Sequence, residues 1–242
     1  MTHGRPDFDL TGSTRTTYPV MDLGELAARV GSPVTFDRRG DVVWFDDFEQ
    51  PGGKWQIATS GVGATVVRNY VSARNGTFSL NMITGDAVDN YATISRRMPM
   101  FNDQRVGVEA NIEFSDNTKY TRLWVQWYDG TNYTTGAVRY NDLTPGFEVL
   151  TPGSVWVAIT PTIGLYSTLH LWHNIKLVVD YETDKYVRLM VDGVEYDLSA
   201  YSLTSLASAD YPNLFISLQV TNAAAGNHGI FLDDFIVTIN EP

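Results

Sequence analysis

From Val42 onward, apolar and polar residues alternate with period two, and turn-forming residues interrupt the alternation at regular intervals. Val106, Val108, Ala110, Ile112 and Phe114 alternate with Gly107, Glu109, Asn111 and Glu113. Leu123, Val125 and Trp127 alternate with Tyr120, Arg122, Trp124, Gln126 and Tyr128. Asp129-Gly130 then leads into a hairpin strand over 133–140. Further runs follow at Ile175/Leu177/Val179, at Val187/Leu189/Val191 ending in Asp192-Gly193, at 214–220 and at 229–239. About eight to twelve strands over about 200 residues predict a two-sheet antiparallel β-sandwich, a jelly roll, spanning 42–242. Besides the segment described next, only 203–209 has the spacing for a turn of helix.

Residues 1–41 read differently, as an extended polar arm. Within it, 22–30 places Leu23, Leu26, Ala27 and Val30 on one face of a short helix. Asp22 and Glu25 have capping-box spacing, and Gly31-Ser32-Pro33 stops the helix. Nine residues do not hold a helix in water unaided, so the apolar face needs a dock. That dock is either this domain or another subunit, which makes a homo-oligomer or larger assembly the expected partner.

The β domain opens on Phe45-Asp46-Asp47-Phe48 and closes on Leu232-Asp233-Asp234-Phe235. First and last strands of a jelly roll are commonly neighbours, so the two Asp pairs are expected to approach one another. Four carboxylates at one edge repel unless a cation or basic side chains compensate them. The bland alternative is a solvated edge paired to Arg38 or Arg39.

Composition narrows the function classes. Of 242 residues, 28 are Asp or Glu and 17 are Lys or Arg, a formal net charge of −11. A nucleic-acid partner needs a basic surface, so none is expected. No apolar run reaches the roughly 18–20 residues of a membrane helix, so no membrane partner is expected. The first thirty residues carry no secretory signal, and there is no cysteine for a disulfide or thiolate site. Synthesis in a cytoplasm is the expectation.

The strand over 120–128 supplies the candidate binding face. Tyr120, Arg122, Trp124, Gln126 and Tyr128 share its non-core side, and Glu109 and Asn111 are expected beside them from the preceding strand. Ser217 and Gln219 of a later strand add to the set. Flat rings stack on pyranose C–H faces while the polar groups bond hydroxyls, which suits glycans. The same residue types are enriched where proteins meet, so a partner face, or burial of Trp124 under the arm, is the competing reading.

Asp47-Phe48-Glu49 with Trp55, Asn75-Gly76-Thr77-Phe78-Ser79-Leu80 and the closing Asp233-Asp234 strand together resemble jelly-roll carbohydrate-binding modules. Those modules open on an "FE…W" strand, continue with "G-x-x-S-L" and close on an Asp-Asp strand. The stretch from Trp172-His173 through Asp180 to Val191-Asp192-Gly193 resembles the concanavalin-like and laminin-G group. The resemblance covers roughly residues 42–240. It implies a structural Ca²⁺ between the opening and closing strands, with Glu49 and Asp234 as the better ligand candidates and Asp46, Asp47 and Asp233 behind them. Related folds include glucanases with a Glu-x-Asp-x-x-Glu strand. The nearest match here, Glu182-Thr-Asp184, ends on Val187 and reads as a hairpin loop. His170 and His173, three apart on a predicted strand, face opposite sides and lack metal spacing. No catalytic residues are expected.

The arm, from Leu26 through Phe48-Glu49, is similar to N-termini of phage structural proteins that carry jelly rolls. The function expected is therefore a non-catalytic virion-surface protein, such as a capsid decoration, anchored by its arm. Its location would be the virion, after cytoplasmic synthesis. The alternatives are an extracellular carbohydrate-binding module or lectin-like adhesin, and an atypical glycan hydrolase or lyase.

Overall fold

A computed structural model describes residues 39–51, 53–101, 105–114, 117–168 and 170–242. The arm helix expected over 22–30, with Leu23, Leu26, Ala27 and Val30, lies outside the described residues. Among the described residues there are sixteen strands and no helix. In order they are β1 (Asp41–Asp46), β2 (Gln56–Thr59), β3 (Thr65–Asn69), β4 (Ser79–Ile83), β5 (Tyr91–Met98), β6 (Arg105–Phe114), β7 (Thr118–Tyr128) and β8 (Asn132–Asn141). Then come β9 (Gly146–Thr151), β10 (Val155–Ala158), β11 (Trp172–Asp180), β12 (Lys185–Val191), β13 (Val194–Asp197), β14 (Thr204–Ala207), β15 (Asn213–Asn222) and β16 (Gly229–Ile239).

The strands form two eight-stranded sheets, antiparallel at every pairing. The first runs β13-β12-β11-β6-β16-β4-β3, with β1 also on β16. The second runs β10-β9-β8-β7-β15-β5-β2, with β14 also on β8. The period-two pattern sends one apolar row of each strand inward. Val106, Val108 and Ala110 of β6, Leu123 and Val125 of β7, Leu177 of β11 and Ile216 and Leu218 of β15 meet in a single buried core. The sequence reading of a two-sheet jelly roll is therefore the observed fold, with more strands than expected because short edge strands such as β2, β10 and β13 flank the long ones.

The ends meet as expected: Phe45 pairs with Ile236 and Asp46 with Phe235. Asp192 and Gly193 take φ values of 50° and 81°, the two positive values that a tight type I′ hairpin turn demands. One expectation fails. Residues 203–209 do not turn helically; Thr204–Ala207 is β14, paired along Asn132–Thr135 of β8. So short a helix gains little, whereas an edge pairing satisfies its backbone at once. His170, expected on a strand, sits before β11 with φ 66°.

Candidate functional site

The outer face of the second sheet collects the expected row. Tyr120, Arg122, Trp124, Gln126 and Tyr128 alternate outward along β7 between β8 and β15. Register sets their neighbours: Arg122 lies between Arg139 and Gln219, and Trp124 between Ala137 and Ser217. Arg139 stacks on Tyr120 at 4.1 Å and on Trp156 of β10 at 4.4 Å. The Glu148 carboxylate of β9 accepts from the Arg139 guanidinium, and also from Asn141 Nδ2 at 3.1 Å. Arg122 Nη1 donates to Gln219 Oε1 at 3.1 Å, and Gln219 Nε2 donates to Thr93 Oγ1 at 3.0 Å. Burial first, and then the adjacent Arg139 charge, hold the Arg122 guanidinium below the ordinary arginine pKa. Gln126 donates to Thr135 Oγ1 at 2.9 Å, and Tyr128 stacks on Tyr133 with centroids 5.5 Å apart. Tyr120, Arg122, Trp124, Gln126, Arg139, Trp156 and Gln219 are half-buried, held in place yet reachable.

Glu109 and Asn111 do not join this face. Their strand, β6, belongs to the first sheet, so their outward side is the opposite surface of the sandwich. They are also buried, Glu109 to 1% and Asn111 to 0% exposure. Asn174 Nδ2 donates to Glu109 at 2.7 Å and to Asn111 at 3.1 Å. Beside them, Ser72 donates to Glu113, and Glu241 pairs with Lys176 and Arg188. The outer layer of the first sheet is a buried polar network, not a binding row. Arg139, Glu148 and Trp156, absent from the sequence-based set, take the place assigned to Glu109 and Asn111. Their outward parity was readable, but their adjacency to β7 depends on pairing far along the chain.

The five acids expected to hold Ca²⁺ lie near the β1–β16 junction, and each accepts hydrogen bonds from protein donors. Asp46 accepts from Lys54 Nζ at 2.7 Å, Trp55 Nε1 at 2.9 Å and the Phe48 N–H at 3.1 Å. Glu49 accepts from the N–H groups of Thr77 and Phe78 at 2.6 and 2.7 Å, and Asp47 from the Glu49 N–H at 3.2 Å. Asp233 accepts from the N–H groups of Arg74, Asn75 and Asp234. Asp234 accepts from Arg74 and, at 2.5 Å, from Asn75. Among the described residues no three His, Cys, Asp or Glu converge as metal ligands. Ca²⁺ wants six to eight converging oxygens, and these five acids form no such group in this structure. Of the arginines expected beside these acids, Arg39 binds Glu195 at 2.6 Å, and Arg38 lies outside the described residues.

Burial, and next the Asp234 carboxylate, push the Asp233 pKa up to about 7 against its three N–H donors. A carboxyl raised above its unfolded value favours folding below about pH 4 and loses that contribution as pH rises through about 7. Carboxyl ¹³C NMR should therefore show Asp233 titrating near pH 7; a midpoint near 4 would contradict the burial argument.

No protein-family model and no curated protein sequence matches the chain. Among solved structures, the chain is similar to a pseudo β-1,3-glucanase and immunostimulatory antigen of Mycobacterium tuberculosis. The identity is 14%, over 83% of this chain and 100% of that one, with a TM-score of 0.50. What the likeness shows is the fold, a two-sheet jelly roll. A module of the evolved Dit protein from Lactobacillus casei BL23 phage J-1 matches at 11% identity, over 84% and 98% of the two chains, with a TM-score of 0.46. A xylan-binding domain of Paenibacillus barcinonensis matches at 15%, over 86% and 99%, with a TM-score of 0.42.

Proposed function

We propose that the sandwich is a non-catalytic glycan-binding domain working through the outer face of its second sheet. The observation that carries this reading is the half-buried set of Tyr120, Trp124 and Trp156 around Arg122, Arg139, Gln126 and Gln219. Rings held by the cross-strand register offer flat apolar platforms to sugar C–H faces, and the interleaved amides and guanidinium groups bond hydroxyls. Hydrogen bonds and ring contacts hold these side chains without a ligand, which lowers the entropic cost of binding.

Glycoside hydrolysis requires two carboxyl groups about 5–9.5 Å apart. The outward strand positions of this face carry one acid, Glu148, engaged by Arg139 and Asn141. Glu182 and Asp184, the nearest sequence match to a hydrolase strand, lie in the turn between β11 and β12. Both points support binding without turnover. The setting we propose with it is a virion surface, with residues 1–41 as the anchor; the support for that setting is the arm's sequence alone.

The test is a glycan array and affinity electrophoresis on the native chain and on Trp124→Ala. The expected result is retention of the native chain and affinity at least about tenfold lower in the variant, with little change in melting temperature. Absence of binding to any glycan, or unchanged binding by Trp124→Ala, would sink the reading. Release of reducing ends would overturn its non-catalytic half.

A further inference from the structure

The charge on this face exceeds what neutral sugars require. Arg122 and Arg139 are directly opposed across β7 and β8. Like charges in that position cost stability, and half-burial enlarges the cost. For Arg139 the cost is met locally, since Glu148 bonds its guanidinium and two rings stack on it. Arg122 makes no ion pair of its own, and the Asp89 and Glu148 carboxylates act on it only through space. Its partner at 3.1 Å is a neutral amide, Gln219, which Thr93 holds with its oxygen toward the guanidinium. Tyr120 and Trp124 lie 4.9 and 5.7 Å from it, and its buried Nε has no hydrogen-bond partner. The cations at the rim are already paired, Lys119 with Asp89 at 2.7 Å and Arg97 with Asp210 at 3.9 Å. One positive charge without an ion pair therefore sits mid-face, flanked by aromatic platforms.

We infer that the glycan is acidic: a polysaccharide bearing carboxylate-containing sugars, one carboxylate of which pairs with Arg122 while neighbouring rings stack on Trp124 and Trp156. This rests on the glycan-binding reading and sharpens it. A carboxylate is planar and matches the guanidinium fork, where a lone hydroxyl would supply one weaker bond. The depressed pKa of Arg122 has the same origin, burial beside a like charge. The chain as a whole carries −11, so no general field gathers polyanions, and selection depends on this local pairing. The same net charge disfavours a nucleic acid on these rings.

The experiment is isothermal titration of the full chain with polygalacturonate, alginate and hyaluronate, each beside its carboxyl-reduced neutral counterpart, with dextran sulfate as a further probe. At least one uronate is expected to bind at least about tenfold more tightly than its reduced form. That preference should shrink as salt rises from about 0.05 to 0.5 M, and Arg122→Gln should bind both forms alike. Arg122→Lys keeps the charge without the fork and should retain only part of the preference. If Arg122→Gln melts early, the salt series on the native chain carries the test. Equal binding of acidic and reduced forms would overturn the inference and leave the glycan-binding reading standing. Binding of none of the probes, with an empty glycan array, would overturn both. Tighter binding of dextran sulfate than of every uronate would overturn the assignment of a carboxylate.

Discussion

Replacing Glu241 by alanine is expected to destabilise the sandwich by about 3–5 kcal/mol, lowering the melting temperature by about 6–20 °C. The Glu241 side chain has no exposed surface, and its carboxylate pairs with Lys176 Nζ at 2.6 Å and with the Arg188 guanidinium. Thr238 Oγ1 donates to the same carboxylate, and Arg188 Nη1 also reaches the Pro242 carbonyl at 2.6 Å. Room for this cluster comes from Gly107, where a Cβ would lie 2.6 Å from Glu241 Oε1 and 2.4 Å from Thr238 Oγ1. Lys176 and Arg188 project from β11 and β12, so the residue just beyond β16 joins three strands of the first sheet. Removing the carboxylate takes the shared buried counter-charge from two buried cations, so that much of the desolvation already spent on them is no longer offset. They keep the Arg39 and Pro242 carbonyls and, for Arg188, Glu195 at 3.9 Å. The triple variant Glu241→Leu, Lys176→Met, Arg188→Met discriminates this account from simple loss of packing. It should be more stable than Glu241→Ala alone, because it removes the two buried charges together with the carboxylate they share. A melting temperature within about 1 °C of the native chain for Glu241→Ala would contradict the electrostatic argument.

The same cluster shows which parts of the structure the sequence disclosed. Alternation along 105–114 correctly separates Val106, Val108 and Ala110 from Glu109, Asn111 and Glu113, because side-chain parity is a local property of a strand. Solvent exposure of the polar row is not local. Its partners Ser72, Asn174 and Asp234 come from distant segments, and they turn a row that reads as exposed into a buried network. Sheet membership is equally non-local. Residues 105–114 and 118–128 follow one another closely and resemble two arms of one hairpin, yet β6 and β7 lie in opposite sheets. That single crossing removes Glu109 and Asn111 from the candidate face and admits Arg139 and Trp156. Adjacency of the first and last strands was legible from the matching Phe-Asp-Asp-Phe and Leu-Asp-Asp-Phe segments. The donors that bind those acids, Lys54, Trp55, Arg74 and Asn75, belong to loops whose paths no periodicity describes.

A second large effect is expected beneath the candidate face. The Tyr186 side chain of β12 crosses the core, only 1% exposed, and its hydroxyl reaches the second sheet. It accepts from the Ala137 N–H at 2.9 Å and donates toward the Leu150 carbonyl at 2.6 Å. β8 and β9 pair from Asn141↔Gly146 up to Val138↔Val149, and there the ladder stops. The next pair would be Ala137 with Leu150, but β8 turns to β14 instead, and the hydroxyl fills the fork. Those two residues are the cross-strand partners of Trp124 and Trp156. One buried hydroxyl thus fixes the spacing of the two tryptophans from below. Tyr186→Phe leaves a buried N–H and a buried carbonyl without their partner, at an expected cost of about 1–3 kcal/mol. In the glycan-binding reading it should also weaken affinity although residue 186 touches no ligand, and Trp124→Ala combined with it should lose less than the sum of the two. Unchanged stability would mean that Ala137 and Leu150 close on each other and extend the ladder by one pair. The tryptophans would then move together, and a change in affinity without a change in melting temperature would report that movement.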